Sequence, residues 1–211
     1  MKIGIEAQRI FRVAKHGMDV AALELIRRLQ VLDTINEYYL LAADGPDQQC
    51  VAESPTFIRK ILPGITYAGW EQFSLPRALK KYQPDIIHCT ANTAPINCRP
   101  PLVLTLHDII YLENNILKGS VYQNLGNIYR KIIVPPAVRK AKTIITVSEY
   151  ERQVIVAAFP EAADKITVIY NGVDERFRPL SKAMTDHFRK QKGLPEAFIL
   201  VLGNTAPKKN T

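Results

Sequence analysis

The chain alternates between short apolar runs and longer amphipathic segments over most of its length. Short aliphatic runs between polar or turn residues are typical of buried strands, whereas apolar residues spaced by three and four indicate a helix with one buried face. In the segment Gly17–Leu32, this stripe is formed by Ala22, Leu25, Ile26, Leu29 and Leu32. The alternation predicts an α/β fold, a parallel sheet flanked by crossover helices.

The pattern also sets the bounds of the predicted elements. Strands are predicted over Lys2–Ala7, Tyr38–Ala43, Thr56–Leu62, Asp85–Cys89, Leu102–Leu106, Thr143–Val147 and Lys165–Tyr170. Helices are predicted over Gly17–Leu32, Leu75–Tyr82, Val121–Ile133, Pro136–Lys142 and Glu149–Phe159. Pro76 suits the first turn of its helix, because no backbone amide donor is needed there.

The last part of the chain has a different organisation. A Pro-bounded polar run ends at Pro179, which is typical of a chain leaving one domain for the next. Phe198–Asn210 (FILVLGNTAPKKN) then has the pattern of a strand, a glycine turn and a lysine pair. We expect a domain over 1–179, a linker over 180–197, and at 198–211 the start of a second, incomplete domain whose lone strand lacks its own sheet.

Composition agrees with one complete domain followed by a short remainder. A length of 211 residues, 47% of them hydrophobic, suits one α/β domain with a short remainder. Met1–Ala7 has no apolar run of signal-peptide length, and no later segment approaches a membrane span, so we expect a cytoplasmic protein. The three cysteines form no Cys-x-x-Cys pair, which argues against a disulfide framework or a zinc ribbon.

The net charge of +8 favours an anionic partner: nucleic acid, a phosphate-bearing small molecule or an acidic membrane surface. Part of the excess lies in Tyr129–Lys142, where basic and apolar residues are mixed around Pro135 and Pro136. Such a mixture suits contact with a membrane surface, but bases on a solvated helix face are the more ordinary explanation.

Ligands of open α/β sheets bind beyond the carboxyl ends of the strands, so the residues that follow each strand are the informative ones. They are Arg9, Lys15, His16 and Gly17 after the first strand, then Thr90, Asn92 and Pro95, then His107 and Asp108, and finally Ser148 and Glu149. Gly17 opens a helix whose free amides can bind an anion. The absence of Gly-x-Gly-x-x-Gly from this loop argues against a dinucleotide site.

His107 is the leading candidate for a catalytic residue, because an imidazole can donate a hydrogen bond, accept one or carry charge near neutral pH. The alternative is a histidine that merely satisfies nearby backbone. Asp108 forms no dyad with it, since neighbours along a strand point to opposite faces. Ser148 is a candidate nucleophile, but VSEYERQ is more typical of a serine that caps a helix. His88, as a strand residue beside Cys89, lacks metal-ligand spacing, and no metal site is predicted.

Five stretches occur together in order: HGMDVAALELIRRL, YQPDIIHCTANTAPI, LVLTLHDIIYL, IITVSEYERQVIVAAFPEAADKITVIYNGVDERFRP and FILVLGNTAPKKN. In combination they resemble glycosyltransferase family 4, the glycosyl transferases group 1, and the likeness covers nearly the whole chain. The resemblance implies two facing Rossmann-like halves, the GT-B arrangement, in which this chain is similar to the acceptor-side half. Most of the half that binds the sugar nucleotide is then expected beyond Thr211.

The resemblance also implies roles for individual residues. His107 would lie against the donor sugar, Gly17 would approach the donor phosphates, and Lys208 and Lys209 would clamp the diphosphate. Lys208 stands where many members of the family have arginine, and so lacks bidentate geometry. The remaining candidates, on the acceptor side, are Arg9, Thr90, Asn92, Asp108 and Ser148.

The implied reaction is transfer of a sugar from a nucleoside diphosphate sugar to an acceptor hydroxyl, retaining and metal-independent. Helix amides and lysines can stabilise the departing diphosphate. No cofactor and no nucleic acid partner are implied. The acceptor would be a carbohydrate or a lipid-linked sugar of bacterial polysaccharide or glycolipid synthesis, reached at most peripherally at the inner face of the membrane. The chain alone is expected to be inactive, since the family's acidic donor-binding motif belongs to the other half.

Two other classes remain open. A sugar-nucleotide epimerase can share the architecture, but it needs catalytic carboxylates and histidines in a closed pocket, and these loops offer few acids. A non-catalytic nucleotide- or phosphate-binding module would use the positive charge for general anion capture.

Overall fold

The computed structural model describes residues 1–52, 54–113 and 121–201. The strands are β1 Lys2–Glu6, β2 Glu37–Ala42, β3 Phe57–Ile61, β4 Ile86–Cys89, β5 Leu102–Thr105, β6 Thr143–Thr146 and β7 Ile166–Val168. They form one seven-stranded sheet in the order β3-β2-β1-β4-β5-β6-β7, with every neighbouring pair parallel. The predicted α/β fold with a parallel sheet is confirmed, and the predicted strand ends differ from these bounds by two residues at most.

The helices are α1 Gly17–Leu32, α2 Tyr67–Gly69, α3 Leu75–Tyr82, α4 Ile110–Glu113, α5 Val121–Lys140, α6 Glu149–Ala158 and α7 Lys182–Gln191. Short 3₁₀ turns occupy Gln48–Cys50 and Pro160–Lys165. Helices α1 and α3 have the predicted bounds. A π-helical turn, Trp70–Ser74, joins α2 to α3, so this helical segment begins earlier than predicted.

The prediction of two helical segments, Val121–Ile133 and Pro136–Lys142, is wrong, because α5 continues through both Pro135 and Pro136. A proline inside a helix removes one backbone hydrogen bond and crowds the preceding turn. Packing offsets that cost: Val134, Ala137 and Val138 belong to one hydrophobic core cluster, and Ile133 beside them is buried as well. The burial of these side chains, rather than local helix propensity, keeps α5 continuous.

The two faces of the sheet carry separate hydrophobic clusters. Along β2, Tyr38, Leu40 and Ala42 pack in the cluster that contains Ile26 of α1, whereas Tyr39 and Leu41 pack in the one with Trp70 and Leu75. Alternating side chains of a strand point to opposite faces, so the sheet is covered on both sides. Within α1 the predicted stripe is shifted: Leu23 is buried, and Leu32 in the last turn is 79% exposed.

Strand β1 lies between β2 and β4, so the chain runs outward from β1 in one direction and then returns to build the other half of the sheet. The strand order therefore reverses between β1 and β4. In open α/β sheets, ligands bind beyond the carboxyl ends of the strands at such a reversal. The fold thus singles out the loops that follow β1, β4 and β5.

The chain divides into two compact units, Met1–Asn171 and Gly172–Thr211. In the second unit, α7 is capped by Ser181, whose Oγ accepts a hydrogen bond from the amide of Met184 at 3.4 Å. Phe198–Val201, the described part of the predicted last strand, form no strand and are more than half exposed. Residues 202–211, including Lys208 and Lys209, lie outside the described residues, and the boundaries at 179 and 197 stay predictions.

None of the helices in the described residues combines the length and the hydrophobicity needed to cross a membrane.

Candidate functional site

The carboxyl ends of β1 and β4 are joined through Glu6 and Thr90. The Thr90 hydroxyl donates to the Glu6 carbonyl oxygen at 2.8 Å, and the Glu6 carboxyl group accepts from the amides of Gln8 at 2.9 Å and Thr90 at 3.2 Å. Glu6 is 2% exposed, and this burial raises the pKa of its carboxyl group. Glu6 was not predicted from the sequence, although an acid that closes an apolar strand (MKIGIE) is a recognisable signal.

His107 follows β5 at the same edge, as predicted. Its amide donates to Asn92 Oδ1 at 2.6 Å, and its ring Nε2 lies 3.0 Å from the Thr90 carbonyl oxygen. A carbonyl can only accept, so Nε2 carries a proton, and in the neutral ring Nδ1 is the acceptor. Burial lowers the pKa of His107, which favours this neutral form. The ring therefore satisfies nearby backbone with one nitrogen and can accept a hydrogen bond from a ligand with the other.

Asn92 forms hydrogen bonds with the backbone at the carboxyl end of β5. Its backbone has a φ of 68°, in the left-handed region, which asparagine tolerates better than most residues. In addition to its bond with His107, it donates from its amide to the Thr105 carbonyl at 3.1 Å and from Nδ2 to the Asp108 carbonyl at 3.3 Å. The side chain is 2% exposed. Asn92 thus fixes the backbone that carries His107.

The amino end of α1 carries a fixed ion pair. Arg9 Nε lies 2.9 Å from Asp19 Oδ1, and Asp19 Oδ2 accepts from the His16 amide at 3.0 Å. The Arg9 guanidinium also lies over the Tyr67 ring, 5.4 Å from its centroid. Gly17 stands exposed beside this pair, and a Cβ atom there would meet no atom within 4 Å. Packing of the described residues therefore does not require glycine at this position.

Other predicted residues are engaged elsewhere. Lys15 donates to the Arg12 carbonyl at 2.8 Å and forms an ion pair with Asp47. Ser148 Oγ accepts from the Glu151 amide at 3.1 Å, which confirms the helix cap.

The Asp108 side chain is half-buried, and His88 is a residue of β4, as expected. The His88 ring Nε2 lies 2.7 Å from Thr105 Oγ1, and burial lowers its pKa to about 4, which keeps the imidazole neutral. Among the described residues, no group of three or more His, Cys, Asp or Glu side chains could hold a metal ion.

A second buried acid, Glu71, lies in the π-helical turn and was also missed. Its Oε1 accepts from Thr93 Oγ1 and, at 3.2 Å, from the Tyr67 hydroxyl, while Oε2 accepts from the Tyr129 hydroxyl and, at 3.1 Å, from Gln72 Nε2. Glu71 is 1% exposed, and burial raises its pKa to about 7. The available signal was a charged residue directly after the single tryptophan of the chain, a residue type that is highly buried on average.

The chain is similar to known glycosyltransferases in sequence. The model described as Glycosyltransferase Family 4 matches residues 16–177. A protein of Bacillus subtilis (strain 168) named "Putative glycosyltransferase YtcC" is 29% identical over 114 residues, which cover 51% of this chain and 25% of that protein.

Solved structures give a similar result. The crystal structure of Anabaena Alr3699/HepE in complex with UDP superposes with a TM-score of 0.60 at 21% identity. The same protein in complex with UDP-glucose gives 0.58 at 19% identity. In both cases the match covers 92% of this chain and 50% of the other. At this identity the likeness concerns the fold, and the chain spans about half the length of these structures.

Proposed function

Because the chain belongs to glycosyltransferase family 4, and its Rossmann-like sheet is one half of a two-domain GT-B fold, we propose that it provides the acceptor-side half of a sugar-transfer site. The reaction is transfer from a nucleoside diphosphate sugar to an acceptor hydroxyl, with retention at the anomeric carbon and without a required metal. The donor is a substrate, and no other cofactor takes part.

The observation that carries this proposal is the arrangement of His107. Its ring is held by the Thr90 carbonyl through Nε2, at the carboxyl edge of the sheet, where α/β folds bind ligands. A neutral imidazole with Nδ1 as acceptor suits a hydrogen bond from a hydroxyl of the donor sugar. The lowered pKa keeps the ring in that form at neutral pH.

The amino end of α1 supports a role for Gly17 beside the donor diphosphate. Free amides at a helix start, together with the helix dipole, favour an anion. Asp19 in this first turn would oppose an anion, but the Arg9 guanidinium compensates its charge at 2.9 Å. Lys208 and Lys209 are proposed to supply the remaining positive charge against the diphosphate.

Replacing Gly17 with alanine tests this placement. We expect the free energy of unfolding to stay unchanged or to rise by about 0.5–1 kcal/mol, because alanine is the better helix former and the Cβ meets open space. The methyl group would occupy the space proposed for the diphosphate, so the KM for the donor should rise at least ~10-fold. Urea unfolding and steady-state kinetics of the full-length protein measure the two effects.

Gly126→Ala in α5 is the matched control. Its Cβ would lie 3.6 Å from Arg130 Nη1, an ordinary contact, and the same stabilisation without a donor effect is expected. A Gly17→Ala protein with an unchanged donor KM would remove Gly17 from the diphosphate site.

The acceptor is proposed to be a carbohydrate or a lipid-linked sugar of bacterial polysaccharide or glycolipid synthesis, reached from the cytoplasmic side of the membrane. One surface of α5 supports peripheral membrane contact. Leu125, Ile128 and Ile132 are 61%, 52% and 61% exposed and recur at spacings of three and four. Lys131 is exposed on the same helix and can meet anionic headgroups.

Vesicle sedimentation tests this contact. We expect the full-length protein to sediment with phosphatidylcholine vesicles that contain phosphatidylglycerol, and a Leu125→Ser, Ile128→Ser double variant to lose at least about half of its bound fraction, because apolar burial contributes to interfacial binding. Ile65→Ser, which changes a fully exposed isoleucine outside α5, is the control and should bind as wild type. Equal sedimentation of all three proteins would contradict the proposal.

The transfer reaction itself is tested with a panel of nucleoside diphosphate sugars. A selective donor should raise the melting temperature of the full-length protein, and acceptors can then be assayed with that donor in the presence of a chelator. Conversion of the donor without any acceptor would indicate an epimerase, and binding without turnover would indicate a non-catalytic module. Turnover by the isolated 211-residue chain would contradict its proposed role as half a site.

A further inference from the structure

Glu71 is a buried acid that the proposed transfer reaction does not use directly. We infer that Glu71 is a positioning residue: its carboxyl group anchors the loop after β4, and through that loop it sets the position of His107. The inference rests on the proposed function for the role of His107 in sugar transfer. The contacts between Glu71, the loop and His107 are those of the described residues.

The carboxyl group joins three parts of the fold. Tyr67 belongs to α2, Thr93 to the loop after β4, and Tyr129 to α5. The Thr93 and Tyr129 hydroxyls donate to Glu71, and the Tyr67 hydroxyl lies 3.2 Å from Glu71 Oε1 and 2.7 Å from Thr93 Oγ1. Gln72 completes the connection, since its Nε2 donates to the Tyr129 hydroxyl at 2.8 Å and its Oε1 accepts from the Ile96 amide at 3.0 Å. Such a set can be satisfied only when these segments lie in one arrangement.

The first residues of the loop after β4 contact His107 at two points. Thr90 supplies the carbonyl that accepts from the His107 ring at 3.0 Å, and Asn92 supplies the side-chain oxygen that accepts from the His107 amide at 2.6 Å. The loop in turn has two carboxyl anchors, Glu6 at Thr90 and Glu71 at Thr93. A change at Glu71 therefore shifts the two groups that orient the imidazole, without any direct contact between Glu71 and the donor.

The neighbours of Glu71 are mostly hydrogen-bond donors, which suits a carboxyl group with two acceptor oxygens. An ionised carboxyl group is acceptor-only and suits all of these donors. Glutamine places an amino group where one oxygen stood: at Oε2 it would face Gln72 Nε2, which can only donate, and at Oε1 it would require the Thr93 and Tyr67 hydroxyls to turn and accept. Glu71→Gln keeps the volume of the side chain but turns one of its two oxygens into a donor. The variant therefore isolates the hydrogen-bond requirement from packing.

Protonation of Glu71 should have a related effect. Burial raises its pKa to about 7, and the titratable groups that face it are Glu6 on β1, Cys89 on β4, Tyr67 on α2 and Tyr129 on α5. A proton on Glu71 removes an acceptor from this network near neutral pH. The position of the loop, and with it the surroundings of His107, should then change over the same pH range.

The pH dependence of stability has a definite sign. Because the pKa is raised from 4.5 in a free side chain to about 7, the folded protein binds a proton that the unfolded chain releases. Glu71 therefore contributes stability below about pH 4.5 that is lost as pH rises towards 7. Over this window, the folding equilibrium constant of wild type should fall relative to that of Glu71→Gln on the order of 100-fold.

Nitrogen-15 NMR of the full chain tests the inference. We expect the His107 amide and ring Nε2 signals of wild type to show an inflection near pH 7 in addition to titration of the ring itself. The inflection should be absent from Glu71→Gln. In Tyr129→Phe it should move to higher pH, because the charged form loses one donor while the ring is kept. Glu161→Gln, an exposed acid on another surface, should titrate as wild type.

The outcomes separate the possibilities. If the His107 signals titrate in the same way in wild type and in Glu71→Gln, the inference is overturned. If Glu71→Gln does not fold, an inflection at the same pH in Tyr129→Phe as in wild type would also overturn it. In the full-length enzyme, Glu71→Gln should lower kcat about 10-fold with little change in donor KM. If the NMR inflection follows Glu71 but turnover is indifferent to His107, the positioning role stands and the proposed function fails.

Discussion

Replacing His107 with alanine should reduce sugar transfer by the full-length protein on the order of 100-fold, the usual cost of removing one polar group that contacts the reacting part of a substrate. The ring is half-buried and its Nε2 binds only a backbone carbonyl, so the fold should survive the change. Residual activity is expected, because the proposed diphosphate site does not depend on this ring.

Steady-state kinetics with the identified donor measure this effect, with unfolding curves to verify the fold. His187→Ala is the control, since His187 is an exposed histidine of α7 and its replacement should leave turnover unchanged. A His107→Ala protein that works as well as wild type would favour the non-catalytic nucleotide- or phosphate-binding module.

Replacing Asn92 with alanine should lower the free energy of unfolding by about 3 kcal/mol. Part of the loss, roughly 1 kcal/mol, comes from placing alanine at a φ of 68°. The remainder, about 2 kcal/mol, comes from leaving the partly buried His107 amide without its acceptor. Asn92→Gly loses the same hydrogen bonds at no φ cost, so it should be milder by about 1 kcal/mol.

Gln83 provides the matched control for the backbone effect. It also has a positive φ, 48°, but it is exposed at the end of α3, so only the φ cost applies there. Gln83→Gly should therefore stabilise the protein by up to about 1 kcal/mol, and Gln83→Ala should be nearly neutral. Urea unfolding of the four variants measures these differences. Equal destabilisation by Asn92→Ala and Gln83→Ala would show that the Asn92 hydrogen bonds do not contribute.

Prediction from sequence succeeded where the cause is local. The bounds of α1 and α3 and the succession of strands along the chain follow from hydrophobic period, because each element must bury one face or both. The position of His107 at the carboxyl edge follows in turn, since it comes directly after a parallel strand. It failed for α5, where a proline pair suggested a break that burial of the helix overrides.

The candidate site also contains residues that the sequence could place and contacts that it could not. Sequence alone could place His107, Gly17 and Asn92 after the right strands, but not the partners that orient them. Glu71 meets Thr93 across 22 residues and Tyr129 across 58, and no sequence period links positions at such separations.

Sequence by itself therefore determined the strands, most of the helices, the parallel sheet and the edge at which a ligand would bind, because these depend on which side chains avoid water. Only the tertiary structure decided that Glu6 and Glu71 are buried, that α5 is continuous, and which nitrogen of His107 carries the proton. The physical reason is that hydrogen bonds and pKa values depend on distance and on exclusion of water, and the folded chain sets both between residues far apart in sequence.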